Sequence, residues 1–208
     1  MATTAAGTPY VESSDLVANY PGVSLALANH IDTVGGLVNV EPTSIANSGG
    51  SASISANTVN FSSVTQLSLN GCFTSAYKNY LFIMQLGASG GTDLDLRLRA
   101  GGTDASGANY DSQRGVFSGV SVSASTPLNQ TSIRIGTFFT GNDGISSYQI
   151  MRPQLAQATI FNGNGGSAQS NQVIIGDHDI SSAYDGFTLI PNGGFNITGT
   201  IQVFGYKD

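Results

Sequence analysis

Apolar and polar residues alternate with a period of two along much of this chain. The clearest case is TDLDLRLR at residues 92–99, where Leu94, Leu96 and Leu98 fall on one face and Asp93, Asp95, Arg97 and Arg99 on the other. Successive side chains of a strand point to opposite faces, so this spacing predicts a half-buried strand. Comparable short runs lie at residues 64–69, 80–86, 116–122, 132–138, 148–151, 159–161, 173–175, 187–190 and 198–206. GASGG, GGTDASGAN, GNDG, NGNGG and PNGG separate them, and the Asn-Gly steps Asn70-Gly71, Asn162-Gly163 and Asn192-Gly193 read as turns. About ten short strands so spaced predict a mainly β chain, an antiparallel jelly-roll-like β-sandwich. No fixed-period repeat points to a solenoid.

Residues 1–45 have a different pattern. Ser13 or Ser14 is placed to cap a short helix near Asp15, and Pro21 suits the first turn of a second. In VSLALANHIDTV, residues Val23, Leu27, Ile31 and Val34 recur at helical spacing, and Gly35-Gly36 ends the run. A helix this short needs a partner surface, so these four positions form a candidate docking helix, with His30 a packing residue beside it. NSGGSASIS at residues 47–55 reads as a flexible linker. The expected organisation is a short helical amino-terminal arm at 1–45, a Gly/Ser-rich linker at 46–56 and a β-sandwich at 57–208.

Composition narrows the function. Charged residues are 10% of the chain, against roughly 25% in an ordinary domain. The 40% apolar content and the 27 Gly argue for a folded chain with a neutral, polar surface, which suits structural and adhesive proteins better than metabolic enzymes. A net charge of -6 with Lys and Arg totalling 7 leaves no patch for phosphate, so no nucleic-acid partner is expected. No apolar run is long enough for membrane insertion, and MATTAAGTPY has no secretory-signal pattern. The single cysteine, Cys72, excludes an internal disulfide framework and reads as a small buried hydrophobe.

No catalytic, cofactor or metal constellation emerges, and the chain reads as a non-enzyme without a cofactor. In Gly176-Asp177-His178-Asp179 the two carboxylates would share one strand face and the imidazole the other. Gly141-Asn142-Asp143-Gly144 is too poor in carboxylates for a calcium loop. Asp93 and Asp95 share a face, as carboxylate-pair hydrolysis requires, but Arg97 and Arg99 continue it, and such a row is suited to pairing with a neighbouring strand or chain. Tyr77, Tyr80, Tyr110, Tyr148, Tyr184 and Tyr206 fall at or near strand ends, either as packing residues or as ring platforms for sugars. Asp93, Asp95, Arg97, Arg99, Tyr110 and Tyr184 are therefore the candidate surface or interface residues.

FTSAYKNY at residues 73–80, LRLRAGGTDASGANY at 96–110, DGFTLIPNGG at 185–194 and ITGTIQVFGYKD at 197–208 resemble a family of tailed-phage virion proteins with a carboxy-terminal β-sandwich. GTPYVESSDLVANYPGVSLALANHID at 7–32 is similar to the start of phage tail and other virion components. The resemblance implies a virion structural protein assembled in the host cytoplasm: a tail-associated fibre or receptor-binding component, or alternatively a capsid decoration or head-fibre protein. It implies a homotrimer whose amino-terminal arm docks to other virion proteins and whose sandwich meets a host-surface glycan or protein. It carries over no catalytic position.

Overall fold

The computed structural model describes residues 2–3, 9–10, 24, 36–140 and 144–207. The chain divides into two compact units, residues 1–37 with 207–208, and residues 38–206. In the first, β1 (Ala2–Thr3) pairs antiparallel with β2 (Pro9–Tyr10). The docking-helix positions Val23, Leu27, Ile31 and Val34 lie outside the described residues, as do His30 and residues 141–143 of the GNDG segment.

The second unit is a curled antiparallel sheet with two wings. The long wing runs in the order β10 (Ser121–Ser125), β9 (Tyr110–Ser118), β14 (Ser170–His178), β13 (Thr159–Ser167), β12 (Gly144–Met151), β6 (Asn79–Ala88), β16 (Ile197–Tyr206). The short wing is β15 (Gly186–Pro191), β7 (Thr92–Ala100) and β11 (Ile133–Phe138), with β8 (Thr103–Asp104) on β7. β5 (Thr58–Asn70) stands between the wings, with β4 (Ser44–Ser55) along it; β3 (Leu37–Asn39) pairs with β16.

β5 makes the sheet curl because it belongs to both wings. Its first half pairs with β16 through Val59↔Ile201 and Val64↔Ile197, and its end pairs with β15 through Leu67↔Leu189 and Leu69↔Phe187. β4 follows the whole length of β5, from Ile45↔Leu69 to Ser55↔Thr58, with a bulge between Ser48 and Gly49. There the chain takes positive φ at Gly49 (68°), Gly50 (36°) and Ser63 (54°). A Cβ on Gly50 would stand 1.9 Å from the Ser62 carbonyl oxygen, so the bend requires glycine at that point.

Three expectations are corrected here. Residues 46–56 are not a linker: NSGGSASIS lies within β4, and its turn to β5 is Ala56-Asn57, with φ of 49° and 59°. Gly and Ser make an isolated segment pliant, but the ladder to β5 supplies backbone partners that composition does not register. The compact β unit consequently begins at Val38 rather than at residue 57. NGNGG at 162–166 is not a turn but the middle of β13, where a Cβ on Gly163 would meet the Ser147 carbonyl oxygen at 2.2 Å. That glycine serves the close approach of β12. The run 116–122 is two strands, because β9 ends at Ser118 and the chain reverses at Gly119-Val120 into β10.

The core lies between the wings. Leu94, Leu96 and Leu98 of β7 are at most 1% exposed, each burial stabilising by about 1.5–3 kcal/mol. Phe82 of β6 stacks on Phe187 of β15 with centroids 4.4 Å apart, and Phe73 packs against both. The Tyr148 hydroxyl of β12 donates to the Ile135 carbonyl of β11 at 2.5 Å, tying wing to wing across the core.

Candidate functional site

The charged row of β7 is used within the chain. Asp93 accepts from the Thr137 hydroxyl at 2.7 Å and pairs with the Arg134 Nη1 at 2.6 Å, both on β11. Asp95 accepts from the Ser132 hydroxyl at 2.8 Å, with Arg134 Nε 3.7 Å from its other oxygen. Arg114 of β9 lies close enough to feel all three. Burial and the Arg134 charge hold its guanidinium below its ordinary value, while Asp93 and Asp95 act the other way. Asp95, Ser112, Arg114, Gln130, Ser132 and Arg134 line a cavity of about 50 Å³, too small for an organic ligand. The two carboxylates share Arg134, and Arg114 adds a second positive charge nearby, so the Asp93/Asp95 pair belongs to a structural charge network.

The other end of the row is more deeply enclosed. Arg99 is 8% exposed, so the expectation of an outward-facing interface arginine is corrected. Its Nε donates to the Asn70 side chain at 3.0 Å, and Nη1 donates to Ser68 at 3.1 Å, to Thr188 at 2.7 Å and to Asp104. Nη2 donates to the Gly102 carbonyl, and Thr188 in turn donates to Asp104 at 2.7 Å. A buried guanidinium needs such company, because desolvation penalises any donor left without a partner. Arg97 is half-buried, and its Nε donates to the Thr131 carbonyl at 3.0 Å. The row is thus spent on β5, β8, β11 and β15, and the support it lent to a chain–chain contact falls away.

The candidate surface tyrosines are also interior. Tyr110 is 1% exposed, and its hydroxyl donates to the Ala105 carbonyl at 2.9 Å while accepting from the Leu98 amide at 2.9 Å. Tyr184 is 5% exposed, with its hydroxyl 3.2 Å from Nδ1 of His178. Tyr80 and Tyr148 are buried with their hydroxyls bonded to backbone carbonyls. The rings pack as expected, but the hydroxyls meet backbone carbonyls or, for Tyr184, His178 inside the curl instead of water. Tyr77 and Tyr206 are partly exposed; Tyr206 lies beside Asn79, Gln149 and Met151 in a shallow pocket of about 240 Å³, with Gln149 donating to its hydroxyl at 3.0 Å.

Neither the Asp177–Asp179 segment nor Cys72 supplies a reactive group. His178 is 1% exposed, packed edge-on to Tyr110 and Tyr184 with centroids 4.4 and 5.3 Å away. Burial holds its imidazole below the ordinary value, opposed by the nearby Asp179. Asp177 faces Asp111 across the β9–β14 ladder, and burial with the charges of Asp111 and Asp179 raises its carboxyl. Among the described residues no three of His, Cys, Asp and Glu come together as a metal-holding group. Burial pushes the Cys72 thiol well above its usual range, which leaves it unreactive.

What remains open is a face on the margin of the long wing. Phe117 of β9, Val122 of β10 and Val173 and Ile175 of β14 point to the same side, and all are about half exposed or more. Val120, at the tip of the β9–β10 hairpin, is fully exposed. A groove of about 510 Å³ runs over this face, bounded by Phe117, Ala124, Asn162, Val173 and Ile175. An apolar cluster of this kind marks a contact surface. The sequence held its signal, the alternation of Val and Ser through GVSVSAS, but reading 116–122 as one strand hid the hairpin that displays it. No protein-family model matches the chain, and no curated protein matches it.

Proposed function

We propose that this protein is a virion structural protein of a tailed phage, a tail-associated fibre or receptor-binding component whose amino-terminal segment docks to the particle while the β unit is displayed. The proposal includes the finer reading of the curled sheet as a jelly-roll-like sandwich. The observation that carries it is a division of labour: residues 38–206 form a compact β unit, and its ion pairs and most of its tyrosines are engaged in holding that unit together. Its β9–β10–β14 margin offers an apolar contact surface outward. The phage resemblance of residues 73–80, 96–110, 185–194 and 197–208 supplies the biological setting. The shallow pocket at Tyr206, an aromatic ring beside the Asn79 and Gln149 amides, has the chemistry that sugar hydroxyls and ring faces take, and is the place for a glycan contact.

The test is labelling. An antibody against residues 38–206, applied to intact particles from the source culture, is expected to decorate the tail. Hundreds of labelled positions on the head would move the protein to the decoration role, and no label on particles in which mass spectrometry fails to find the chain would end the virion reading.

A further inference from the structure

We propose that β10 is a self-pairing edge, through which two copies of the chain join antiparallel about a twofold axis at Ser123. The proposal goes beyond the virion reading and stands without it. β10 closes one end of the long wing and pairs only with β9 among the described strands. Its other edge therefore presents unpaired backbone donors and acceptors. Soluble proteins protect such an edge with Lys, Pro, a bulge or a covering segment. From Gly115 to Ser125 the sequence is GVFSGVSVSAS, with no charge and no proline, and the β9–β10 register is unbroken.

The occupant follows from the register. Antiparallel pairing of Ser121–Ser125 with itself sets Ser123 against Ser123 of the second copy, Val122 against Ala124, and Ser121 against Ser125. Every pair is small or apolar, and none brings like charges together. Val122 lies on the same face as Phe117, Val173 and Ile175, so the junction would merge two exposed apolar patches into one stripe across a continuous sheet. Each chain carries a net charge of -6, and this uncharged margin is where two copies approach at least electrostatic cost. β4 is another uncharged edge, but the bulge at Ser48/Gly49 breaks its ladder, which blunts it for pairing, and β3 is only three residues long. A same-strand contact of this kind is isologous and closes at two copies.

Cysteine crosslinking on the full chain reads the register directly, and the native Cys72 is buried. Under diamide, Ser123→Cys is expected to give a covalent dimer. Ser121→Cys alone is not, because its two copies would stand about four residues apart along the pair, roughly 13 Å and beyond disulfide reach. A mixture of Ser121→Cys with Ser125→Cys is expected to crosslink. In sedimentation at tens of micromolar, the protein is expected as a dimer, and Val122→Lys with Ala124→Lys as a monomer whose melting temperature matches that of the native chain at a concentration where it too is a monomer. Val122→Lys with Ala124→Glu sets opposite charges face to face and is expected to restore the dimer. A monomer at these concentrations, a trimer indifferent to the paired lysines, or equal crosslinking by Ser121→Cys and Ser123→Cys overturns the proposal.

Discussion

The corner around Arg99 and the margin around Phe117 are made from similar material and reach opposite ends. Both draw on Ser, Thr, Gly and aliphatic residues in strands with few charges. At the corner, β5, β7, β8 and β15 converge, so each polar atom of Arg99 meets a partner and the neighbouring Leu98 is enclosed. At the margin, β9, β10 and β14 turn outward a face that no other described strand packs over, and Phe117, Val122, Val173 and Ile175 keep about half or more of their surface in water. The difference teaches that what a residue contributes here depends on whether another part of the sheet covers its face, more than on its type. Stability is concentrated where the wings join, and capacity for contact where the sheet stops.

The sharpest way to break this comparison is at the corner. Arg99→Ala strands the Asp104 carboxylate and the Thr188 and Ser68 hydroxyls, and is expected to cost about 3–5 kcal/mol. Urea unfolding of the full chain measures it; a loss below that of an ordinary surface substitution would remove the corner from its structural role. Slightly smaller is Leu96→Ala, expected to cost about 2–5 kcal/mol through lost burial and the cavity left between the wings. The adjacent Arg97→Ala is expected to cost under about 1 kcal/mol, since its partner is the carbonyl of the exposed Thr131. Equal losses at Leu96 and Arg97 would contradict the facing of β7.

A smaller effect is expected from pH. His178 is held neutral by burial among Tyr110, Tyr184 and Thr159, so its folded pKa lies below the unfolded value of about 6.5. Above that value neither state binds the proton and stability is full. As pH falls below it, the unfolded chain takes up the proton first, and stability declines toward the depressed folded value. The raised Asp177 carboxyl works in the opposite sense at lower pH, because its protonation relieves the crowding with Asp111 and Asp179. Melting temperatures between pH 7 and 5 are expected to fall in the native protein and to flatten in His178→Gln; an unaltered slope would assign the effect elsewhere. The smallest effect belongs to the margin. Phe117→Ser, measured at a concentration where the chain is a monomer, is expected to change stability by within about 0.5 kcal/mol. A loss of several kcal/mol would make the margin part of the core.

Local periodicity determined more of this protein than its composition did. The alternation of leucine with charge in 92–99 placed β7 and its inward face, and comparable runs placed β5, β6, β11 and β16, because a period of two is dictated by the strand backbone itself. Positive-φ turns at Gly71 and Gly193 followed from their Asn-Gly steps for the same local reason. Tertiary structure decided everything that depended on a distant partner. NSGGSASIS became a strand because β5 lay alongside it, and Gly163 entered a strand because β12 required the space. Arg99, Tyr110 and Tyr184 had been read as surface and are buried, because Asp104, Ala105 and His178, remote or unmarked in the local pattern, stand ready to satisfy them, while Asp93 and Asp95 stay partly exposed and pair with Arg134 of the neighbouring strand. Alternation tells which side of its own strand a residue faces. Only the curling of the sheet decides whether that side meets water or another strand.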